Sequence, residues 1–207
     1  IPSPPFPYPK EHSFPPFYTP QLNLSTAHAQ LTKWSSLILS FCRHHTLYRL
    51  SLSDATNSPT SPVYPLFNND SINRRLSLPY IKEIIDFMRK DGRAEYCTGT
   101  TTTTGSKGGD TTERGVGGGG KGGGGDVVWI YWRTPEEWAA IVEKWVDETG
   151  NRGQVMTVYE LTEGEGTRGA EFWGLDQELL IKAIQVLVKR GKAQTMGGEE
   201  NLGVKFF

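Results

Sequence analysis

The sequence predicts an α+β chain, mainly helical, built from two small domains of one architecture. Three observations carry that prediction. Two amphipathic stretches align residue by residue, Trp34-x-x-Leu37-Ile38-x-x-Phe41-Cys42 against Trp138-x-x-Ile141-Val142-x-x-Trp145-Val146. Both set apolar side chains at the three- and four-residue spacing of a single helical face. Further on, each half carries a helix that ends at a glycine, Lys90-Asp91-Gly92-Arg93-Ala94-Glu95 against Lys189-Arg190-Gly191-Lys192-Ala193-Gln194. Finally, each half closes on two strand-like runs that read as a hairpin.

Taken in order, residues 1–22 are dense in proline and aromatic rings and read as an extended, partly polyproline-like segment. Within it HSFPPFYTPQ places Phe14, Phe17 and Tyr18 where no local core is expected to cover them. Ser25 or Thr26 is expected to cap a helix to about His45, with Leu31, Trp34, Leu37, Ile38, Phe41 and Cys42 facing inward. Residues 51–65, with Pro59, Pro62 and Pro65 among Ser and Asn, read as a loop, and PLFNNDSINRRL as a short helical piece. A helix from near Pro79 puts Ile81, Ile84, Ile85 and Met88 on one side and stops at Gly92. RAEYC and VVWIYW supply the two arms of the first hairpin.

Between those arms lies TGTTTTTGSKGGDTTERGVGGGGKGGGGD, about residues 98–126. Its Thr and Gly have little to bury and much entropy to lose, so it reads as a disordered insertion in the hairpin tip. Gly115-x-x-x-x-Gly120-Lys121 has the outline of a phosphate loop, but Gly122 stands where Ser or Thr would bind the metal ion, and no helix can follow.

The second half begins with clear signals. Thr134 is a cap, Pro135 the first helical residue, and Glu137 the far side of a capping box. Trp138, Ile141, Val142 and Trp145 form the predicted buried stripe, and Gly150 ends the helix. VMTVYELT reads as a short strand entering a brief helix. LDQELLIKAIQVLVKRG is a third helix capped by Asp176, and KAQTM with GVKFF makes the closing hairpin. Each half thus runs helix, short element, helix, glycine stop, hairpin, which is the order of a winged helix, here in tandem over 23–133 and 134–207. Because the hairpin ending at Trp132 leads almost directly to Thr134, the two domains are expected to pack as a rigid rod.

Bulk properties narrow the function class. The 207 residues carry net charge −1, divided as 14 Lys/Arg against 10 Asp/Glu over 1–134 (+4) and 8 against 13 over 135–207 (−5). Neither imbalance dictates a partner. Two cysteines, Cys42 and Cys97, make no disulfide framework, which fits a reducing compartment. No run is apolar and long enough to span a bilayer, and no leader is evident, so a soluble intracellular protein is expected. The Asn23-Leu24-Ser25 and Asn69-Asp70-Ser71 triplets are then never glycosylated.

Chemistry is sparse. His44 and His45 are adjacent, and adjacent helical side chains diverge by about 100°, so they are not expected to share a metal. No Ser or Cys nucleophile stands in a recognisable arrangement with a His and an acid, so neither an enzyme nor a cofactor site is expected. A winged helix also admits an alternative function, a DNA-binding transcription regulator. Its reader helices would bring Lys82, Arg89, Lys90, Lys182, Lys189 and Arg190, but also Glu83, Asp86, Asp91, Asp176 and Glu178. Carboxylates facing phosphates oppose that reading, and no nucleic-acid partner is expected.

That leaves the front. A stiff proline segment loses little entropy on docking, and aromatic rings are common interface anchors. From composition two readings stay open: rings filling a partner's apolar slots, or a tail folded back over its own domain.

A family resemblance bears on that choice. Pro15-Pro16-Phe17-x-x-x-Gln21, Leu66-Phe67-Asn68-Asn69 with Ile72 and Arg74, Trp132 with Glu137-Trp138, Thr157-Val158-Tyr159-Glu160-Leu161 and Val204-Lys205-Phe206-Phe207 together resemble the smallest subunit of the ESCRT-II endosomal sorting complex. The resemblance spans both domains and the front motif, but not the Thr/Gly insertion. It implies a non-catalytic scaffold, present in two copies with two larger subunits in a Y-shaped assembly. It also implies that Phe14, Pro15, Pro16, Phe17, Tyr18 and Gln21 seat the chain on those subunits, with Arg74 supporting the junction. The second winged helix would recruit an amphipathic helix of an ESCRT-III subunit. The protein would be cytoplasmic and recruited to the endosomal membrane, meeting lipid only through the complex. Pro4-Pro5-Phe6 departs from the single motif expected.

Overall fold

The computed structural model describes residues 5–97, 126–198 and 202–207. Pro4, the Thr/Gly insertion and the tip of the last hairpin therefore lie outside the described residues. The chain divides into two compact units, Ile1–Ile130 and Tyr131–Phe207.

The first unit is organised around α1 (Leu24–His44), whose buried face is Trp34, Leu37, Ile38, Phe41 and Cys42. Its cap is Asn23, not Ser25 or Thr26: the Asn23 side chain accepts from the backbone N–H groups of both, which leaves them inside the first turn. Strand β1 (Arg49–Ser51) follows, and then α2 (Leu52–Asn57), in a stretch the sequence reads as loop. Ser51 caps α2 through the Asp54 N–H, while Leu52 and Ala55 turn fully inward. Two buried residues in six are too few to show a periodicity amid Ser, Asn and Pro. Beyond it come α3 (Tyr64–Phe67) and a two-stranded ribbon of β2 (Asn68–Asn69) and β3 (Arg74–Arg75), so PLFNNDSINRRL is only partly helical. Asn73, at φ 50°, makes the left-handed step that turns the ribbon.

Helix α4 (Leu78–Lys90) buries Tyr80, Ile81, Ile84, Ile85 and Met88, and the chain leaves it through Gly92 at φ 68°. Strands β4 (Ala94–Tyr96) and β5 (Val127–Ile130) then pair antiparallel, and β1 joins the far side of β5, for the order β1-β5-β4. Asp126 ties this wing to the start of α2 by accepting from the Ser51 and Ser53 hydroxyls and the Ser53 N–H.

The second unit repeats that plan with less decoration. Helix α5 (Pro135–Thr149) opens on the predicted capping box, with Thr134 and Glu137 each accepting from the other's backbone N–H, and ends on Gly150 at φ 71°. Trp138, Ala139, Val142 and Val146 are buried, whereas Ile141 and Trp145 are half-buried; the inward stripe lies slightly round from the expected one. A second capping box, Thr157 with Glu160, starts α6 (Val158–Glu163) directly after β6 (Val155–Thr157). Helix α7 (Gln177–Lys189) is capped by Asp176 and buries Leu179, Leu180, Ala183, Ile184 and Leu187. Strands β7 (Ala193–Met196) and β8 (Gly203–Phe206) complete a sheet ordered β6-β8-β7. Both units are winged helices with the same sheet order. Among the described residues no helix is long and apolar enough to cross a membrane.

Candidate functional site

The front segment is extended only in part: Pro9, Phe14 and Thr19 keep extended backbone. Between these positions Lys10–Ser13 and Pro15–Tyr18 form two successive 3-10 turns, the second packed on Trp34 of α1. Proline fixes φ near the value common to polyproline and 3-10 backbone, so the choice falls to what the segment packs against. Here that is Trp34. The Phe17 ring stacks on it, with centroids 4.2 Å apart and planes at 8°, and Tyr18 meets it edge-on at 5.6 Å. Phe17 and Tyr18 are each 5% exposed. The expectation that these two rings stand free of the chain's own core is therefore overturned; burial on Trp34 removes apolar surface that an isolated tail would leave wet.

A buried polar network holds the backbone of the motif. Trp34 Nε1 donates to the Phe17 carbonyl at 3.0 Å. Gln30, one turn earlier on α1 and itself buried, spreads its amide N–H groups over the carbonyls of Pro16 (3.1 Å), Phe17 (2.8 Å) and Thr19 (3.1 Å). Its Oε1 accepts from the hydroxyl of Tyr80 on α4 at 2.7 Å. Burial pushes the Tyr80 phenol up to about 12, so it remains a neutral donor. Half-buried Gln21 turns back on the same carbonyls, donating to Thr19 at 2.9 Å and Pro16 at 3.3 Å.

The second fastening is His12, which is 5% exposed. Its Nε2 donates to the Leu66 carbonyl at 3.3 Å, which leaves Nδ1 to accept from Asn69 Nδ2 at 3.2 Å. Asn69 Nδ2 also donates to the His12 carbonyl, as does the Tyr18 hydroxyl. Asn69 cannot turn its amide over without cost, because its Oδ1 caps the Ser71 N–H. The front segment is thus tied to Leu66 and Asn69, the two ends of the Leu-Phe-Asn-Asn run. Burial drives the His12 pKa below the ordinary value, against opposing contacts with the Leu66 and Pro65 carbonyls.

A pH dependence follows. The folded pKa is depressed, so the stability contributed by neutral His12 is complete above the ordinary histidine value and is lost as pH falls from there toward the depressed value. Protonation would set an N–H on Nδ1 against the Asn69 N–H. Urea denaturation of wild type and His12→Gln at pH 7.5 and 5.5 is expected to show the larger acid loss in wild type. Equal losses would show that His12 is not the titrating group. His45, also depressed by burial and by His44, titrates alike in both proteins.

The other sequence-predicted residues divide cleanly. Phe14 is 58% exposed, and Pro15 and Pro16 are exposed beside it. Arg74 is exposed on β3, the strand packed against the Pro15–Tyr18 turn, and has no ion-pair partner among the described residues. Two shallow grooves flank the turn, each floored in part by Phe17. One of about 300 Å³ lies between Phe6, Pro7 and Pro9 and the Thr32–Ser40 side of α1; the other, about 220 Å³, lies between Phe14, Pro16 and Gln21 and Ala29. The Lys33–Glu11 ion pair, 2.8 Å, borders both. Phe6, the aromatic residue of the extra proline motif, packs edge-on against Phe41 at 5.1 Å and His44 at 5.4 Å. The His44 and His45 rings meet edge-on, with centroids 4.8 Å apart.

Sequence reasoning missed His12, Gln30 and Tyr80 as parts of the site. Gln30 did leave a signal, a polar residue four positions before Trp34 on the buried stripe.

Comparison with known proteins agrees with this architecture. The chain is 41% identical over 202 residues to vacuolar protein-sorting-associated protein 25 of Dictyostelium discoideum, covering 98% of this chain and 96% of that one. It is 35% identical to the Xenopus laevis protein of the same name, covering 98% and 99%. A solved structure of the endosomal complex ESCRT-II (VPS22/VPS25/VPS36) contains a chain that superposes with a TM-score of 0.72 at 27% identity, over 96% of this chain and 98% of that one. Residues 11–176, from the first turn of the front segment to the cap of α7, match the ESCRT-II complex subunit family, and to that family this protein belongs.

Proposed function

We propose that the chain is a non-catalytic scaffold of an endosomal sorting complex, docking on larger subunits of the VPS22 and VPS36 kind through its front segment. One observation carries this: the Pro-Pro-Phe turn is clamped from beneath, yet keeps Phe14, Pro15 and Pro16 outward beside an ion-pair-free Arg74. In this reading Phe17, Tyr18 and Gln21 shape the contact surface from within, while Phe14 and the two prolines touch the partner and Arg74 pairs with a partner carboxylate. A pre-shaped turn loses little freedom on docking. The second winged helix offers its acidic surface, with Tyr159 60% and Trp173 46% exposed, to an amphipathic helix of an ESCRT-III subunit. Recruitment to the endosomal membrane then runs through the complex.

The test is co-purification with the two larger subunits. Phe14→Ser and Arg74→Glu together are expected to abolish it, since an aromatic anchor is worth roughly 2 kcal/mol or more, while the melting temperature stays near wild type. Full recovery of the complex with the double variant would refute the docking surface.

A further inference from the structure

The two halves carry a tryptophan at matching places, and their surroundings differ in two respects. Trp34 has Phe17 stacked on its face, Tyr18 edge-on, and the Phe17 carbonyl on Nε1. Trp138, 2% exposed, has Trp132 edge-on at 5.4 Å and 76°, and the Arg133 guanidinium lies over its ring at 5.0 Å, where Trp34 has a stacked ring. The third role is unfilled. Among the described residues Trp138 Nε1 is buried with no acceptor. Native proteins rarely leave such a donor unpaired, because it has given up water and received nothing in return.

We infer that Trp138 is a second seat for a proline-flanked aromatic segment, supplied by a partner chain and bound as residues 14–18 bind Trp34. The chemistry required is a backbone carbonyl for Nε1 and a ring for the indole face. A Pro-Pro-aromatic segment has both: in the chain's own turn the residue three beyond Phe17 is Pro20, which has no N–H, so the Phe17 carbonyl is left to accept from an indole. Arg133 is a cover that such a ring can displace. It is held by an ion pair with Glu171, the side chains being 28% and 62% exposed, and pairs this open to solvent yield easily. Swung aside, Arg133 stays at the rim beside Glu171, and no new charge is buried.

The experiment uses the ¹⁵N-labelled chain of residues 1–207 and a synthetic peptide of residues 12–21, HSFPPFYTPQ. The Trp138 indole resonance, assigned by its loss in Trp138→Phe, is expected to move saturably as peptide is added. Arg133→Ala is expected to tighten binding roughly threefold, the scale of one exposed ion pair. A peptide carrying Phe17→Ala is expected to leave the resonance in place. The inference fails if the Trp138 signal stays fixed at millimolar peptide, as it would with an internal water on Nε1. It fails equally if only the Trp34 signal responds, which would mean the peptide merely displaces the chain's own front segment. Neither failure bears on docking through Phe14 and Arg74.

Discussion

Phe17→Ala is expected to cost the first unit about 3 kcal/mol or more, the range for deleting a buried phenylalanine. The ring is 5% exposed and lies flat on Trp34, so its loss opens a gap over the indole face on which it stacks. The loss is not confined to packing. A loosened Phe17 also moves the carbonyl that accepts from Trp34 Nε1 and Gln30, and two buried donors lose an acceptor together. Phe14→Ala, at a site 58% exposed, is expected to stay within about 0.5 kcal/mol of wild type. Urea denaturation of both variants separates the roles: a large loss for Phe17 and none for Phe14 marks one ring as internal support and the other as contact surface. A Phe17→Ala chain as stable as wild type would return Phe17 to the partner-facing group.

The parts of the fold that could be read beforehand are those whose cause is local. Ile81, Ile84, Ile85 and Met88 repeat at helical spacing, and all four are fully buried. Thr134-Pro135-x-Glu137 closes its capping box within four residues, so its geometry depends on nothing distant. Elements that went unread are short or decided from afar. Strand β1 has three residues, only one of them buried, and β2 and β3 have two each, below the length at which alternation is visible. The front segment is the clearest case of distant control. Composition left open whether its rings face a partner or its own domain, and the answer combines both: Phe17 and Tyr18 turn in, Phe14 stays out. What decides it is Trp34, Gln30 and Tyr80, of which only Gln30 stood out against its local pattern. The site residues carried by family resemblance are thus brought together in space, while the polar supports beneath them come from the structure.

Gln30 is the joint on which those supports meet, and Gln30→Leu is expected to cost roughly 2 kcal/mol despite similar volume. The reasoning turns on which partners have a substitute. The Phe17 carbonyl keeps Trp34 Nε1, and the Thr19 and Pro16 carbonyls keep Gln21, so the acceptors are partly provided for. Among the described residues the Tyr80 hydroxyl has no such cover. It is in a residue 4% exposed, and its hydrogen bond ends on Gln30 Oε1. Deprotonation offers no escape, since burial holds that phenol near 12. Removing the stranded hydroxyl should then restore part of the loss: Gln30→Leu with Tyr80→Phe is expected to be about 1 kcal/mol more stable than Gln30→Leu alone, because two apolar groups in contact avoid the unpaired donor. Strict additivity of the two substitutions in a double-mutant cycle would mean that Tyr80 and Gln30 do not act together. The clamp on the Pro-Pro-Phe turn would then reduce to Trp34 and Gln21.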